Sequence, residues 1–194
     1  MIDTKEFRSM KAELEKEESR REEAITRSRV IIRLSKQVIY ALHRGEIKDA
    51  QGLADEMNKK VAELKRYKDQ KGMVHVAFQE YVEAKAYLHF IAKRELISKK
   101  RCGVATEDYL LGLCDLTGEL MRKAVNSIIA DDEKTVHEIY ALVSDIYTQF
   151  LAFDFRNSEL RKKSDSIKWN LTKIEDLIYK IKMRDDAREE HDHD

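Results

Sequence analysis

Two stretches of the chain place carboxylates where a helix would ordinarily carry apolar side chains. The first is FQEYVEAKAYLHFIAKRELI, Phe78 to Ile97, in which Glu80 and Glu83 stand among apolar residues. On a helical wheel Glu83 lies about 60° from Glu80, with Tyr87 and Ile91 within about 20° and Val76 and Ala84 about 40° to either side. Burying ionised carboxylates without partners costs on the order of several kcal/mol, so a basic side chain, a proton or a divalent cation must neutralise the pair. A salt bridge to a neighbouring helix is the ordinary solution in a charge-rich bundle.

The second stretch is DYLLGLCDLTGELMRKAVNS. The same wheel gathers Asp108, Gly112, Asp115, Glu119, Arg122 and Asn126 into one narrow stripe, while Leu110, Leu113, Leu116, Leu120, Met121 and Ala124 cover most of the remaining surface. Such a stripe is commonly a solvated face. Two features point inward instead. Gly112 and Gly118 each weaken a helix interior by roughly 1 kcal/mol, which fits a helix or ligand approaching closely. A helix apolar over so much of its circumference also belongs centrally, with its polar stripe turned toward another element. If the two helices pack together, Glu80 and Glu83 meet Asp115 and Glu119. Four carboxylates around one point cannot all ionise without a cation. An oxygen-only set suits Mg²⁺ or Mn²⁺, hard ions that can activate water for phosphodiester cleavage. Paired acids at these spacings also arise as purely structural ion pairs.

The elements that must position these acids are helices. The chain has 194 residues with no proline and six glycines, and 38% of it is charged. That is the make-up of one domain of long helices. The glycines punctuate it as helix stops do. A first helix is expected from Thr4 to His43, nearly all charged in its N-terminal half, then apolar along Ile31, Leu34, Val38 and Leu42. A second spans Ile47 to Lys68, and the third carries Glu80 and Glu83 and ends before KKRCG. A fourth runs from Glu107 to Ala130, a fifth from Glu133 to Ala152 and a last from Asn157 to Met183. TED at 106–108 offers a helix N-cap. No period-2 strand stands out, so the expected fold is an all-α bundle of six or seven helices over residues 1–184. A charged tail, 185–194, is expected to be disordered.

The motifs LSKQVIYALHRG, FQEYVEAKAYLHFI, DYLLGLCDLTGELMRKAVNSI and SIKWNLTKIEDLIYKIKMR resemble the translin family, in order and over about residues 27 to 184. The resemblance is to its translin-associated factor X branch. It implies an all-helical fold assembled into a hollow, football-shaped octamer that binds RNA or single-stranded DNA on its inner surface. It also implies a Mg²⁺-dependent endoribonuclease acting on single-stranded RNA, whose acids fall on Glu80, Glu83, Asp115 and Glu119. Translin itself replaces most of these acids, so their retention favours the catalytic branch. The eukaryotic factor carries a long insertion between the two acidic motifs, where this chain has only ISKKRCGVATE. That difference implies a compact archaeal version acting as a homo-oligomer. The alternative is a non-catalytic, translin-like nucleic-acid-binding oligomer in which the acids are structural, and a helical scaffold without nucleic acid is a third.

Charge is compatible with that picture. The 37 basic and 37 acidic side chains cancel, so nucleic acid would have to be held by a local basic lining rather than by a whole-molecule field. Arg29, Arg33, Lys36, Arg44, Lys93, Arg94 and Arg122 are the candidates, each of which could equally be a solvated surface charge. Cys102 and Cys114 have neither disulfide nor zinc spacing. The absence of an apolar span and of a signal-peptide core leads to an expectation of a cytoplasmic protein. His43 reads as a charge at a helix C-terminus and His75 and His89 as lying off the acid face. Tyr81 and Tyr87 read as core or interface, with Tyr87 beside the acids in reach of RNA. Trp169 reads as packing, and the terminal HDHD as part of the disordered tail.

Overall fold

A computed structural model describes residues 2–67, 72–156 and 159–191, with side chains described as far as Arg184. The helices are α1 (Thr4–His43), α2 (Ile47–Leu64, extended by a 3₁₀ turn at Lys65–Tyr67), α3 (Met73–Lys93) and the short α4 (Lys99–Cys102). They continue with α5 (Thr106–Ile129), α6 (Glu133–Leu151) and α7 (Glu159–His191). The described residues contain no strand. The expected helices are therefore present, with three differences. KKRC, which the sequence assigns to a connection, forms the single turn α4, capped by the Ser98 hydroxyl accepting from the Arg101 amide. The cap of α5 is Ala105 rather than TED, because Thr106 is already helical and its hydroxyl instead accepts from Lys99 at 2.9 Å. The backbone of α7 runs to His191, past the expected stop at Met183, while its expected start at Asn157, the expected end of the second helix at Lys68 and residues 192–194 lie outside the described residues.

Local chemistry sets the helix ends. Asp3 opens α1 by accepting from the amides of Lys5 and Glu6. At the other end Gly45 adopts φ +78°, where a Cβ would be strained. The amides of Gly45 and Glu46 then bond back to Leu42 and Ala41 and close the last turn. The predicted stripe on α1 is the buried one, with Ile31, Leu34, Val38 and Leu42 at most 3% exposed. Residues 2–23 are exposed throughout, so the charged half of α1 projects as a rod beyond the core.

The order in which contacts recur fixes the packing. Helix α2 folds back along α1, with Arg27 bonding Glu63 at 2.8 Å and Ser35 touching Met57. Helix α3 runs in the same direction as α1: Lys36 faces Glu80, and His43 meets Tyr87 about two turns further on along both helices. Helix α5 runs parallel to α3, since His75 bonds Asp108 at 2.9 Å and Gln79 and Val82 then meet Gly112. Helix α7 is parallel to α5, from Lys163 at Asp115 to Asn170 at Thr117 and Arg184 at Asp131. The chain thus builds a row of four parallel helices, α1, α3, α5 and α7. Helix α2 covers α1 and α3, and α6 covers α5 and α7. Residues 94–105 carry the chain back from the end of α3 to the start of α5.

The tightest point in the row is Gly112. A Cβ there would stand 2.7 Å from the Gln79 carbonyl oxygen and 2.7 Å from Val82 Cβ. Backbone cannot yield as a flexible side chain does, so the missing side chain lets α5 lie directly on α3. Gly118 has only Asn170 Nδ2 nearby, at 3.8 Å, and the close approach expected there is absent. We expect Gly112→Ala to destabilise the protein by about 1–3 kcal/mol in urea denaturation. Gly118→Ala should be neutral or stabilise by up to about 1 kcal/mol.

Candidate metal centre and nucleic-acid groove

The row of parallel helices brings the four acids to one place, on the side of α3 turned away from α2. Tyr81 and Lys85 face α2, where both reach Asn58. Glu80 and Glu83 lie on the other side and are flanked by α1 and α5. Glu83 is 9% exposed and Glu80 half-buried. Neither has a hydrogen bond or ion pair among the described residues. Burial, reinforced by Asp115, Glu80 and Glu119, pushes the Glu83 carboxyl up to about 9. Burial also raises Glu80, against the opposing pull of Lys36 and with a further push from Asp115. Glu80 and Glu83 therefore sense the two α5 acids, and Glu83 holds its proton at neutral pH.

The α5 acids have partners. Asp115 Oδ2 stands 2.7 Å from Lys163 Nζ of α7. Glu119 Oε2 lies 2.5 Å from His43 Nε2 of α1 and 3.9 Å from Arg122. The His43 side chain is 5% exposed, and its Nδ1 is 3.3 Å from the Tyr87 hydroxyl. All three groups are satisfied when Nε2–H donates to Glu119 and Nδ1 accepts from Tyr87. Burial, then the Glu119 charge, raises the Tyr87 phenol above its usual range, so it remains a donor. Sequence reasoning missed His43 and Lys163 as partners of the acids. Lys163 carried no signal, but His43 did: Lys36, Tyr40 and His43 share one face of α1 within about 60°. The short-range appeal of a C-terminal cap concealed that longer-range role.

Glu80, Glu83 and Glu119 line a cleft of about 290 Å³ together with Lys36, Ile39, Tyr40 and Arg122. Lys36 and Tyr40 also line an adjoining cleft of about 450 Å³ with Arg29, Ile32, Arg33, Gln37 and Met73. Of the seven basic candidates, Arg29, Arg33, Lys36 and Arg122 thus converge on one groove leading to the acids. The other three do not. Arg44 is held by Glu46 at 2.9 Å and 2.5 Å. Lys93 lines a separate cleft on the far side of α3, with Gln51, Lys85, His89 and Arg101. Arg94 ends α3 in a left-handed conformation, φ +57°, and pairs with Glu138 at 3.0 Å.

The other expectations resolve as follows. His75 bonds Asp108, which is 2% exposed and anchors the start of α5 to α3. His89 lies off the acid face, as expected. Both cysteines are buried and free, and burial pushes the Cys114 thiol up to about 12. Trp169 is not packing: it is 71% exposed on α7.

No three of these side chains stand in a geometry that would hold a metal ion, among the described residues, while Lys163 and His43 occupy Asp115 and Glu119. The donor set nevertheless fits a hard divalent cation. It is all carboxylate oxygen, it spans two helices locked together at Gly112, and Glu83 makes no ion pair or hydrogen bond among the described residues. The buried carboxyl has a consequence for the ion-free protein. Unfolded Glu83 ionises near its ordinary value of 4.5, whereas the folded group ionises near 9. Folded protein therefore binds the extra proton between those values, and stability falls as pH rises through that window. Glu83→Gln should flatten this decline and raise the melting temperature at pH 8 by about 2–4 °C or more, about 1 kcal/mol for a chain of this size.

Comparison with known proteins places this geometry in a family. Residues 19–185 match the Translin family. Translin-associated protein X of Rattus norvegicus is 28% identical over 225 aligned positions, covering 92% of this chain and 78% of that protein. Translin of Homo sapiens is 29% identical over 113 positions, covering 56% and 50%. Among solved structures, apo-NeC3PO superposes with a TM-score of 0.81 at 28% identity, covering 92% of this chain and 97% of that one. AfC3PO in complex with duplex RNA superposes equally well, with a TM-score of 0.81 at 24% identity and coverage of 92% and 97%. None of the helices is long and apolar enough to cross a membrane, among the described residues. The chain belongs to the translin family, which includes RNA-binding and endoribonuclease assemblies.

Proposed function

We propose that the protein is a Mg²⁺-dependent endoribonuclease for single-stranded RNA, acting within a hollow homo-oligomer, with Mn²⁺ able to substitute. The observation that carries this reading is Glu83, a buried carboxyl with no ion pair or hydrogen bond among the described residues, in a seam with three further acids. Glu80, Glu83, Asp115 and Glu119 would hold the ion. Bound there, it supplies a hard positive charge that lowers the pKa of its water and offsets charge developing on the phosphate. To hold the ion Glu83 would have to give up its proton, so ion uptake would release a proton and weaken as pH falls. Lys163 and Arg122 stand beside the acids and can carry positive charge to the phosphate oxygens. Water then adds its oxygen to phosphorus as one ester P–O bond breaks, and the departing oxygen takes up a proton. Arg29, Arg33 and Lys36 are the cations that would hold the RNA backbone along the groove, a short-range role compatible with zero net charge.

The second reading, a binding oligomer without catalysis, is favoured by the existing Asp115–Lys163 and Glu119–His43 pairs, which satisfy those acids without any ion. A cleavage assay separates the two. A fluorescently labelled single-stranded RNA should be cut with Mg²⁺, and EDTA or Glu83→Ala should abolish cutting while light scattering reports an unchanged oligomer. Binding without cutting in either Mg²⁺ or Mn²⁺ would establish the second reading instead. His43 has its own expected outcome: because it orients Glu119, His43→Ala should weaken Mn²⁺ binding about 10–100-fold in calorimetry.

A further inference from the structure

Tyr40 is a residue of the groove whose exposure neither the core nor the acids explain. The residue is 53% exposed, although its chain neighbours Ile39 and Ala41 are at most 6% exposed. The Arg122 guanidinium lies over the Tyr40 ring, 5.7 Å from its centroid. Arg122 is in turn 3.9 Å from Glu119, so the ring stands directly beside the acids. Tyr40 also lines both clefts, joining the acid cleft to the one formed by Arg29, Ile32, Arg33 and Met73. Arg29, Arg33, Lys36 and Tyr40 fall within about 60° on α1 and extend over about 16 Å of its length. A cationic edge therefore leads to an exposed aromatic face backed by a second planar group.

From this arrangement we infer that Tyr40, with Arg122, is a stacking platform for one unpaired base of the RNA, next to the phosphate presented to the acids. This inference rests on the reading of the acid cleft as an RNA-cleaving site and adds a determinant of substrate class to it. Aromatic rings hold single-stranded nucleic acid because every base has a π-face, whatever its sequence. The Arg122 guanidinium strengthens the platform by stacking and by its charge. A base inside a duplex already stacks on its neighbours and is not offered to the ring. Tyr40 thus selects for unpaired nucleotides without selecting among the four bases. The ring contributes to holding the strand, so its loss acts on KM and leaves kcat much less affected.

The test uses the full-length protein carrying Glu83→Gln to measure binding without turnover, and the wild-type site to measure cleavage. Tyr40→Ala should weaken binding of a single-stranded RNA about 5- to 100-fold. Tyr40→Phe should restore it, because the ring and not the hydroxyl is used. Binding of a blunt duplex should not change with either substitution. A 2-aminopurine placed at each position in turn should lose its stacking quench at one position only when Tyr40 is replaced. Removing that base from the strand should weaken wild-type binding and abolish the difference between wild type and Tyr40→Ala. Equal weakening of single-stranded and duplex binding, or Tyr40→Ala and base removal acting additively, would overturn the inference. If RNA is bound and cut but Tyr40→Ala is silent, the stacking role alone falls. If wild-type protein binds no RNA, the endoribonuclease reading falls with it.

Discussion

Helices α3 and α5 meet at Gly112 with no α5 side chain between them, and the proposed chemistry depends on that contact. The Gln79 carbonyl oxygen and the Val82 side chain occupy the space a Cβ would need. Held this close and running the same way, the two helices set Glu80 and Glu83 beside Asp115 and Glu119. The Asp108–His75 bond fixes the register at one end, and the Tyr87–His43–Glu119 chain fixes it at the other. A slip of one residue along α5 would turn its acids about 100° away from α3. The seam is therefore both the core of the fold and the wall of the site.

The acids are also where stability is given up. A carboxyl buried to the extent of Glu83 favours its neutral form, and the three acids around it push in the same direction. Its neighbours were neutralised from outside the seam, Asp115 by Lys163 of α7 and Glu119 by His43 of α1. Helices α1 and α7 therefore complete the row structurally and supply the charges that make two of the four acids tolerable. A divalent cation would allow Glu83 to ionise in place, which burial and the neighbouring acids otherwise oppose.

Much of this was legible in the sequence, and what was not has a physical reason. Most helix limits followed from caps and glycines because those signals act within a few residues, whereas the cap of α5 and the far end of α7 did not. The polar stripe on α5 could be read as inward-facing because Gly112 and the leucines around it made no sense on a solvated helix. Gly118 carried the same local signal without the contact, since propensity does not reveal which helix lies opposite. The partners Lys163 and His43 were hidden, being 48 and 76 residues from the acids they meet. The basic lining was half legible: Arg29, Arg33 and Lys36 share a face with Tyr40, whereas Arg44, Lys93 and Arg94 sit at helix ends, where a local acid or another cleft claims them. Trp169 shows the limit of composition, because a single tryptophan suggests packing and this one faces outward.

The central claim is that the acids of α3 and α5 form one cation site. Anomalous scattering from crystals soaked in Mn²⁺ tests it most directly. The account predicts a peak in the seam, about 2.1 Å from carboxylate oxygens of both helices, with Glu83 among them. Asp115 would then have exchanged Lys163 for the ion, while Glu119 keeps its bond to His43. Millimolar Mn²⁺ that leaves the seam without a peak and both pairs intact would contradict it, and the four acids would stand as structural.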